Sequence, residues 1–389
     1  MYIFLSLVDI IIFITLGVPS LYLLFFSIAS HRSKKRKELT CSVSAKKARI
    51  AVLFPAYKEE KVLFQSLETF LKQDYPSEKY AIYVIADHFE EDALLHISQL
   101  PVHVLGVAFE NSSKAKSLRY AMNAIKSEGE SFDIVTILDV DNLVEANYLS
   151  SINKAFQNGS RAIQTHRTAK NMETKMALLD AVSEEINNTI FRKGHVNAGL
   201  SAALIGSGIA FEAEWFAKNV EHLSTVGEDK ELELLLIQQN IFVDYLEDVY
   251  VFDQKISSTD AFHKQRNRWQ SAQFLIFVKM LRTLPSWYKS ANIEKWNKLY
   301  QWILMPRVVH IAILFLITIF YLIVAPALVG KWIVLCILLL TALLLAVPRR
   351  LYTLRLLKTL TLLPYIAFLM FLNIFKFKQG IKKFIHTDH

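Results

Sequence analysis

The first thirty residues, Met1 to Ser30, carry one charged side chain, Asp9, and are followed at once by the basic cluster HRSKKRK at 31–37. An apolar helix of about 20 residues crosses the hydrocarbon of a bilayer, and there it must satisfy its backbone polar groups internally. Residues 1–30 are therefore expected to form a transmembrane helix. A cleaved signal peptide carries its basic residues ahead of the apolar run; here they follow it. By the positive-inside rule, the N-terminus lies outside and the basic linker 31–48 is cytoplasmic.

The far end repeats the pattern. Apolar runs at about 308–329 and 332–347 have only Gly330 and Lys331 between them and predict a helical hairpin. A third run, Thr359 to Phe375, contains Pro364 and has basic residues on both flanks, so it either spans or re-enters; spanning needs only one exception to the charge rule. The C-terminal membrane helices are thus expected within 308–376, with a basic tail at 377–389. The net charge of +8 resides in these flanks: residues 31–49 and 349–389 each sum to +7, which leaves the middle of the chain acidic. That distribution fits membrane topology and anionic headgroups and excludes a nucleic-acid face. Two cysteines, Cys41 and Cys336, are too few and too poorly placed for a disulfide framework or a thiolate metal site.

Between the apolar ends, short β-branched runs alternate with helix-period stretches. RIAVLFPA (49–56), YAIYVIAD (80–87), VHVLGVAF (102–109), FDIVTILDVD (132–141) and RAIQTHR (161–167) read as strands, and EEKVLFQSLETFLKQ (59–73) and KAKSLRYAMNAIKSEG (114–129) as helices. This alternation predicts an α/β domain over 49–268 with a mostly parallel sheet covered on both faces. Ligands of such sheets gather at the carboxyl ends of the strands. Residues 269–290, with Pro285, Trp287 and Tyr288, read as an amphipathic interfacial helix.

Three groups carry candidate chemistry. Asp139 and Asp141 end the most hydrophobic internal strand, where alternate side chains point the same way, so a hard divalent cation bridging a diphosphate could supply their counter-charge. Glu228-Asp229 precedes a helical stretch; a first-turn acid is also an ordinary helix stabiliser. Gln265, Arg268 and Trp269 fall within one helical turn near the membrane and offer an amide, a planar donor fork and an aromatic face to a phosphate-bearing or sugar ligand. A snorkelling basic and aromatic belt accounts for Arg266 and Trp269 but not for the glutamine.

The ordered set PAYKEE (55–60), Asp87, Ser113-Lys114-Ala115-Lys116, Asp139-x-Asp141, Gly227-Glu228-Asp229 and Gln265-x-x-Arg268-Trp269 resembles membrane-bound family 2 glycosyltransferases, the group that includes the cellulose, chitin and hyaluronan synthases. The resemblance implies a GT-A nucleotide-sugar-binding domain inserted between transmembrane helices, and Mg2+ or Mn2+ as cofactor. It places Tyr57, Glu59, Asp87, Lys114 and Asp139 at the nucleotide sugar, Asp141 at the metal and Asp229 as general base. Gly208, Glu228, Gln265, Arg268 and Trp269 fall to the acceptor and diphosphate. Lys58 stands where the family usually has Asn, His88 where a second acid is common, and Gly227 where Thr usually precedes the Glu-Asp pair.

These readings converge on an inverting enzyme that uses a nucleotide-diphosphate sugar, a UDP-sugar by expectation, to form β-linkages in a cell-surface polysaccharide. It would be multi-pass in the inner (plasma) membrane with its catalytic domain cytoplasmic, and would meet membrane lipids, a carbohydrate or lipid-linked acceptor and, for export, a second copy of itself. Two alternatives stand beside it: single addition to a polyprenyl-diphosphate-linked oligosaccharide, and a catalytically silent nucleotide-binding or scaffolding subunit.

Overall fold

The computed structural model describes residues 2–32, 47–223, 227–256, 265, 269, 271–282 and 292–374. Most of the basic linker, the end of the expected interfacial helix (283–290) and the basic tail lie outside the described residues.

Among the described residues, eight strands form one sheet: β1 (Ile50–Tyr57), β2 (Tyr80–Asp87), β3 (His103–Val107), β4 (Ile134–Ile137), β5 (Leu143–Val144), β6 (Ala162–Ala169), β7 (Ile209–Glu212) and β8 (Val243–Asp253). Their order is β3-β2-β1-β4-β7-β6-β8-β5. β3, β2, β1 and β4 are parallel, as expected. β7 then runs antiparallel to both β4 and β6, β8 runs parallel to β6, and β5 is antiparallel to β8, so six of these strands share one direction, as expected of a mostly parallel sheet, and β5 and β7 are the exceptions.

The period of two along β1 builds two cores. Ala51 and Leu53 face the helix Lys114–Ser127, whereas Ile50, Val52 and Phe54 face the helices Glu60–Phe70 and Tyr148–Gln157. All five side chains are fully buried. A strand buried on both faces reads as a continuous apolar run, which is why these strands were legible.

Among the described residues, four segments are long and apolar enough to cross a membrane: Ser6–Ser30, Arg307–Val324, Pro326–Ala346 and Leu354–Phe371. The second and third form the expected hairpin, with its tip at the 3-10 turn Pro326–Leu328 instead of Gly330-Lys331. Proline disfavours helix in the residue before it, and Ala325 is accordingly non-helical. Lys331 lies inside the returning helix and bonds to Asp9 of the first helix, which Tyr321 also contacts at 2.6 Å. Two charges that would each be costly in an apolar setting thereby neutralise one another. The fourth segment is broken, with helices Leu354–Thr359 and Leu363–Ile374 separated by a 3-10 turn at Leu360–Leu362.

The first helix packs against both the hairpin and the α/β domain. Leu16, Leu23 and Phe26 share a core with Val182, Ile186 and Ile190 and with Trp332 and Leu335. His195 stacks on Phe26 with ring centroids 3.9 Å apart, and burial drives its pKa down to about 3. Gly194 makes this approach possible, because a Cβ there would lie 2.3 Å from the carbonyl oxygen of Phe26 and 3.0 Å from that of Thr189. Both obstacles are backbone, so Gly194→Ala must displace the first helix. The expected result is a loss of about 1–3 kcal/mol, the usual cost of overpacking, read as a lower thermal midpoint in detergent; an unchanged midpoint would show that the two bodies are not coupled there. Arg350, just after the hairpin, bonds Glu185 at 2.7 Å, which places the basic cluster at 349–355 on the same side as the α/β domain.

Candidate active site

β1, β2 and β4 run parallel and end on one edge of the sheet. A cavity of about 1440 Å3 opens along that edge, and Tyr57, Glu59, Asp87, Lys114, Asp139, Asp141, Glu228, Asp229, Gln265 and Trp269 all line it. Residues separated by more than 200 positions in the chain thus face a common space. Arg268 lies outside the described residues. Gly208 does not line the cavity: it is buried behind the wall, at φ +63, where a Cβ would meet Thr165 Oγ1 at 2.4 Å. Gly206, two residues earlier in the same LIGSGIAF segment, occupies the wall instead.

At the ends of β1 and β2, Asp87 is buried, accepts the Phe109 N–H at 3.1 Å and meets His88 Nδ1 at 2.7 Å. The His88 ring stands edge-on to Tyr57, and Lys58 Nζ lies 5.4 Å from the Tyr57 ring centre. Lys58 and His88 both hold positive φ, 58° and 59°. Such backbone costs on the order of 1–3 kcal/mol and persists where the surroundings impose it; here it turns both chains sharply and leaves Asp87 at the cavity. Asparagine tolerates this region better than lysine, so the lysine at position 58 is the more strained choice.

β4 ends at Ile137, and Asp139 to Asn142 form a turn closed by the Asn142 N–H to Asp139 C=O bond at 3.1 Å. The expected extended geometry is thereby corrected, and with it the idea that both carboxylates await one counter-ion. Asp139 is paired with Lys114. Lys114 opens its helix behind the N-cap Ser113, donates to the Gly206 carbonyl at 2.7 Å and lies 3.6 Å from Glu228. Burial pulls its pKa down, but Asp139 and Glu228 together hold it above the ordinary value.

Asp141 is different. It is 2% exposed and has no ion-pair partner among the described residues; it accepts the Gln254 N–H at 2.8 Å and Asn142 Nδ2 at 3.1 Å. Burial first, then Asp253 and Asp139, push its pKa up to about 7. Asp253 is close enough to share the Asn142 amide at 3.4 Å, but it is charge-compensated by Lys255 at 2.9 Å and Arg167 at 3.5 Å. Despite burial, those two cations hold its pKa down. A buried carboxylate without a cation is costly, and Asp141 opens on the cavity. Among the described residues no group of three or more His, Cys, Asp or Glu is placed to hold a metal. Asp141, a single carboxylate open to the cavity, fits a cation such as Mg2+, which takes one or two carboxylates and completes its shell with water and substrate phosphates.

Glu228 and Asp229 begin the helix Glu228–Gln238. Glu228 is 8% exposed, and burial pushes its pKa up to about 7 against the pull of Lys114. Asp229 accepts its neighbour's N–H at 2.8 Å through Oδ1, and Lys230 Nζ lies 3.7 Å from Oδ2. Lys230 is held in turn by Glu233 and the Leu204 carbonyl. Gly227 caps the helix, and a Cβ there would lie 2.8 Å from Ala272 Cβ. Its small size lets the helical residues 271–282 approach, which brings Gln265 and Trp269 to the same cavity. Gln265 Oε1 is buried with no hydrogen-bond partner among the described residues.

Arg167, Lys230, Asp253 and Gly206 also line the cavity and were missed in the sequence. Asp253 obeys the strand-end rule that drew attention to Asp87, but the strand count stopped at residue 167. Arg167 sits inside a strand and gives no such sign.

A family model described as glycosyltransferase like family 2 matches residues 48–272. No curated protein matches the chain in sequence. Among solved structures, a mannosyltransferase from Pyrobaculum calidifontis, in complex with GDP-Man and Mn2+, aligns over 86% of this chain and 97% of its own at 16% identity and a TM-score of 0.53. A fragment of S. aureus TarS aligns over 85% and 90% at 17% identity and a TM-score of 0.44. The first of these similarities fixes the fold as GT-A.

Proposed function

We propose that this chain, which belongs to glycosyltransferase-like family 2, moves a sugar from a nucleotide diphosphate to an acceptor hydroxyl with inversion, at the cytoplasmic face of a membrane, in the assembly of a cell-surface polysaccharide. One observation carries the reading: Asp141, a buried carboxylate with no ion-pair partner among the described residues, shares one cavity with Lys114 and with Asp229.

Displacement at an anomeric carbon requires charge on the departing phosphates to be stabilised. Lys114, on the cavity wall beside Asp139, would meet them with its cation, and Asp141 would hold a divalent metal whose bound charge would supply Lewis-acid stabilisation. The acceptor oxygen forms the new bond to C1 as the C1–O bond to the diphosphate breaks, and the proton passes to Asp229. A single base opposite the leaving group gives inversion, hence a β-product from an α-donor. Tyr57 and Asp87 would hold the base, Glu59 and Asp139 the rest of the donor. Glu228, Gln265, Trp269 and, by sequence, Arg268 would line the acceptor and diphosphate side. The spread of apolar side chains on the four apolar segments supports a multi-pass placement with the domain spans given above.

The test is donor turnover by the purified full chain with Mn2+, across UDP-glucose, UDP-N-acetylglucosamine and GDP-mannose. Release of nucleoside diphosphate from one of them is expected, with a β-anomer by NMR when acceptor is present. Retention of the α-configuration would overturn the single-base mechanism.

A further inference from the structure

The cavity is larger than its polar end requires, since sites for one small ligand commonly occupy about 300–1000 Å3 against about 1440 Å3 here. Beyond Gln301 and Arg307 its wall becomes Leu343 and Val347 at the end of the returning hairpin helix, Leu357, and Ile366 and Met370 of the last helix. Leu344 and Leu357, also on this wall, are 59% and 64% exposed, so the arm is open sideways on the faces that would meet lipid. A passage for a growing sugar chain needs inward polar groups; this arm offers mainly leucine, isoleucine, valine and methionine, with His310, Tyr352 and Thr353 its few polar side chains. It suits a hydrocarbon chain. At the junction of the apolar and polar ends stands Arg307, fixed by Ser183 through bonds of 3.0 and 3.1 Å to its hydroxyl and carbonyl.

We infer that the acceptor is a saccharide carried on a polyprenyl phosphate, with its isoprenoid chain in the apolar arm, its phosphate near Arg307 and its sugar hydroxyl at Asp229. The inference rests on the proposed glycosyl transfer and names the acceptor class. The new bond joins the acceptor oxygen to C1, the C1–O bond to the nucleoside diphosphate breaks with its electron pair on the diphosphate, and the hydroxyl proton goes to Asp229. Lateral opening lets the lipid enter from the bilayer without leaving it.

The experiment uses the full chain in nanodiscs of neutral phospholipid. Glucose, N-acetylglucosamine and mannose are each offered free, on a polyprenyl phosphate and on diacylglycerol, with the donor that turnover identifies. The polyprenyl acceptor is expected to exceed the free sugar in kcat/KM by about tenfold or more, because its chain is taken up by an apolar site. That advantage is expected to shrink about tenfold in Leu343→Trp and in Ile366→Trp, which fill the arm. Equal use of free and tailed sugars, preference for the diacylglycerol conjugate, or an advantage untouched by both substitutions would overturn the inference. Failure of every donor to turn over counts against the proposed transfer instead. In that case, and if both variants misfold, a photoreactive polyprenyl phosphate on the parent protein decides: labelling concentrated in residues 340–347 and 363–370 supports the assignment, and labelling spread over the outer helix faces refutes it.

Discussion

Asp141→Asn is expected to lower sugar transfer by roughly 10²–10⁴, the several kcal/mol that metal-stabilised charge contributes at about 1.4 kcal/mol per tenfold, and to weaken binding of the intact donor in Mn2+. The same substitution should leave the protein as stable as before, or more so. Asparagine retains an oxygen for the Gln254 N–H, while the charge that burial, Asp253 and Asp139 disfavour is gone. Lost function with maintained stability is the mark of a residue held for a ligand, and the pairing is measured as donor affinity with and without metal beside the thermal midpoint without it. Excess EDTA on the parent enzyme should reproduce the loss. If turnover survived chelation, or if the Asp141→Asn protein unfolded, Asp141 would belong to the scaffold with Asp253.

The contrast between these two aspartates shows what a sequence discloses. Asp141 was visible because it closes an apolar run, and Asp253 closes another; what separates them is the company of Arg167 and Lys255, one of them brought in from a strand 86 residues earlier. Likewise Asp139 and Asp141 look equivalent on paper, and only the fold delivers Lys114 to one of them. β1 and β2 were legible because eight-residue runs buried on both faces have few polar interruptions. β5 and β7, two and four residues long, leave no period to detect, so the antiparallel part of the sheet was not foreseen. The first helix was plain from its length; its docking on the α/β domain through Gly194 was not, because a glycine within a helical stretch says nothing about which backbone presses on it. The apolar arm of the cavity is a matter of which faces of three membrane helices converge, and hydropathy alone ranks all their faces alike.

Asp229→Asn carries the other large effect. Removing a general base typically costs ~10²–10⁴ in rate, and Asp229 makes no direct ion pair with Lys114, which it attracts only at longer range. Its Oδ1 takes a local N–H and its Oδ2 faces Lys230, whereas Lys114 pairs directly with Asp139 and the Asp141 site lies with Asp253 and Asn142. Donor affinity is therefore expected to stay close to that of the parent while kcat falls a hundredfold or more. The competing role, an acid in the first helical turn, is worth about 0.3–1 kcal/mol. That would move the thermal midpoint slightly and leave the chemistry alone. Measuring kcat, donor affinity and midpoint on one preparation separates the two. A collapse of donor affinity in step with kcat would make Asp229 part of the binding platform, and a midpoint shift without loss of kcat would make it a helix cap. Glu228→Gln is the internal control: Glu228 faces Lys114 at 3.6 Å, so its loss should alter donor affinity, as expected for a group that sets charge around the diphosphate and not for one that accepts the acceptor's proton.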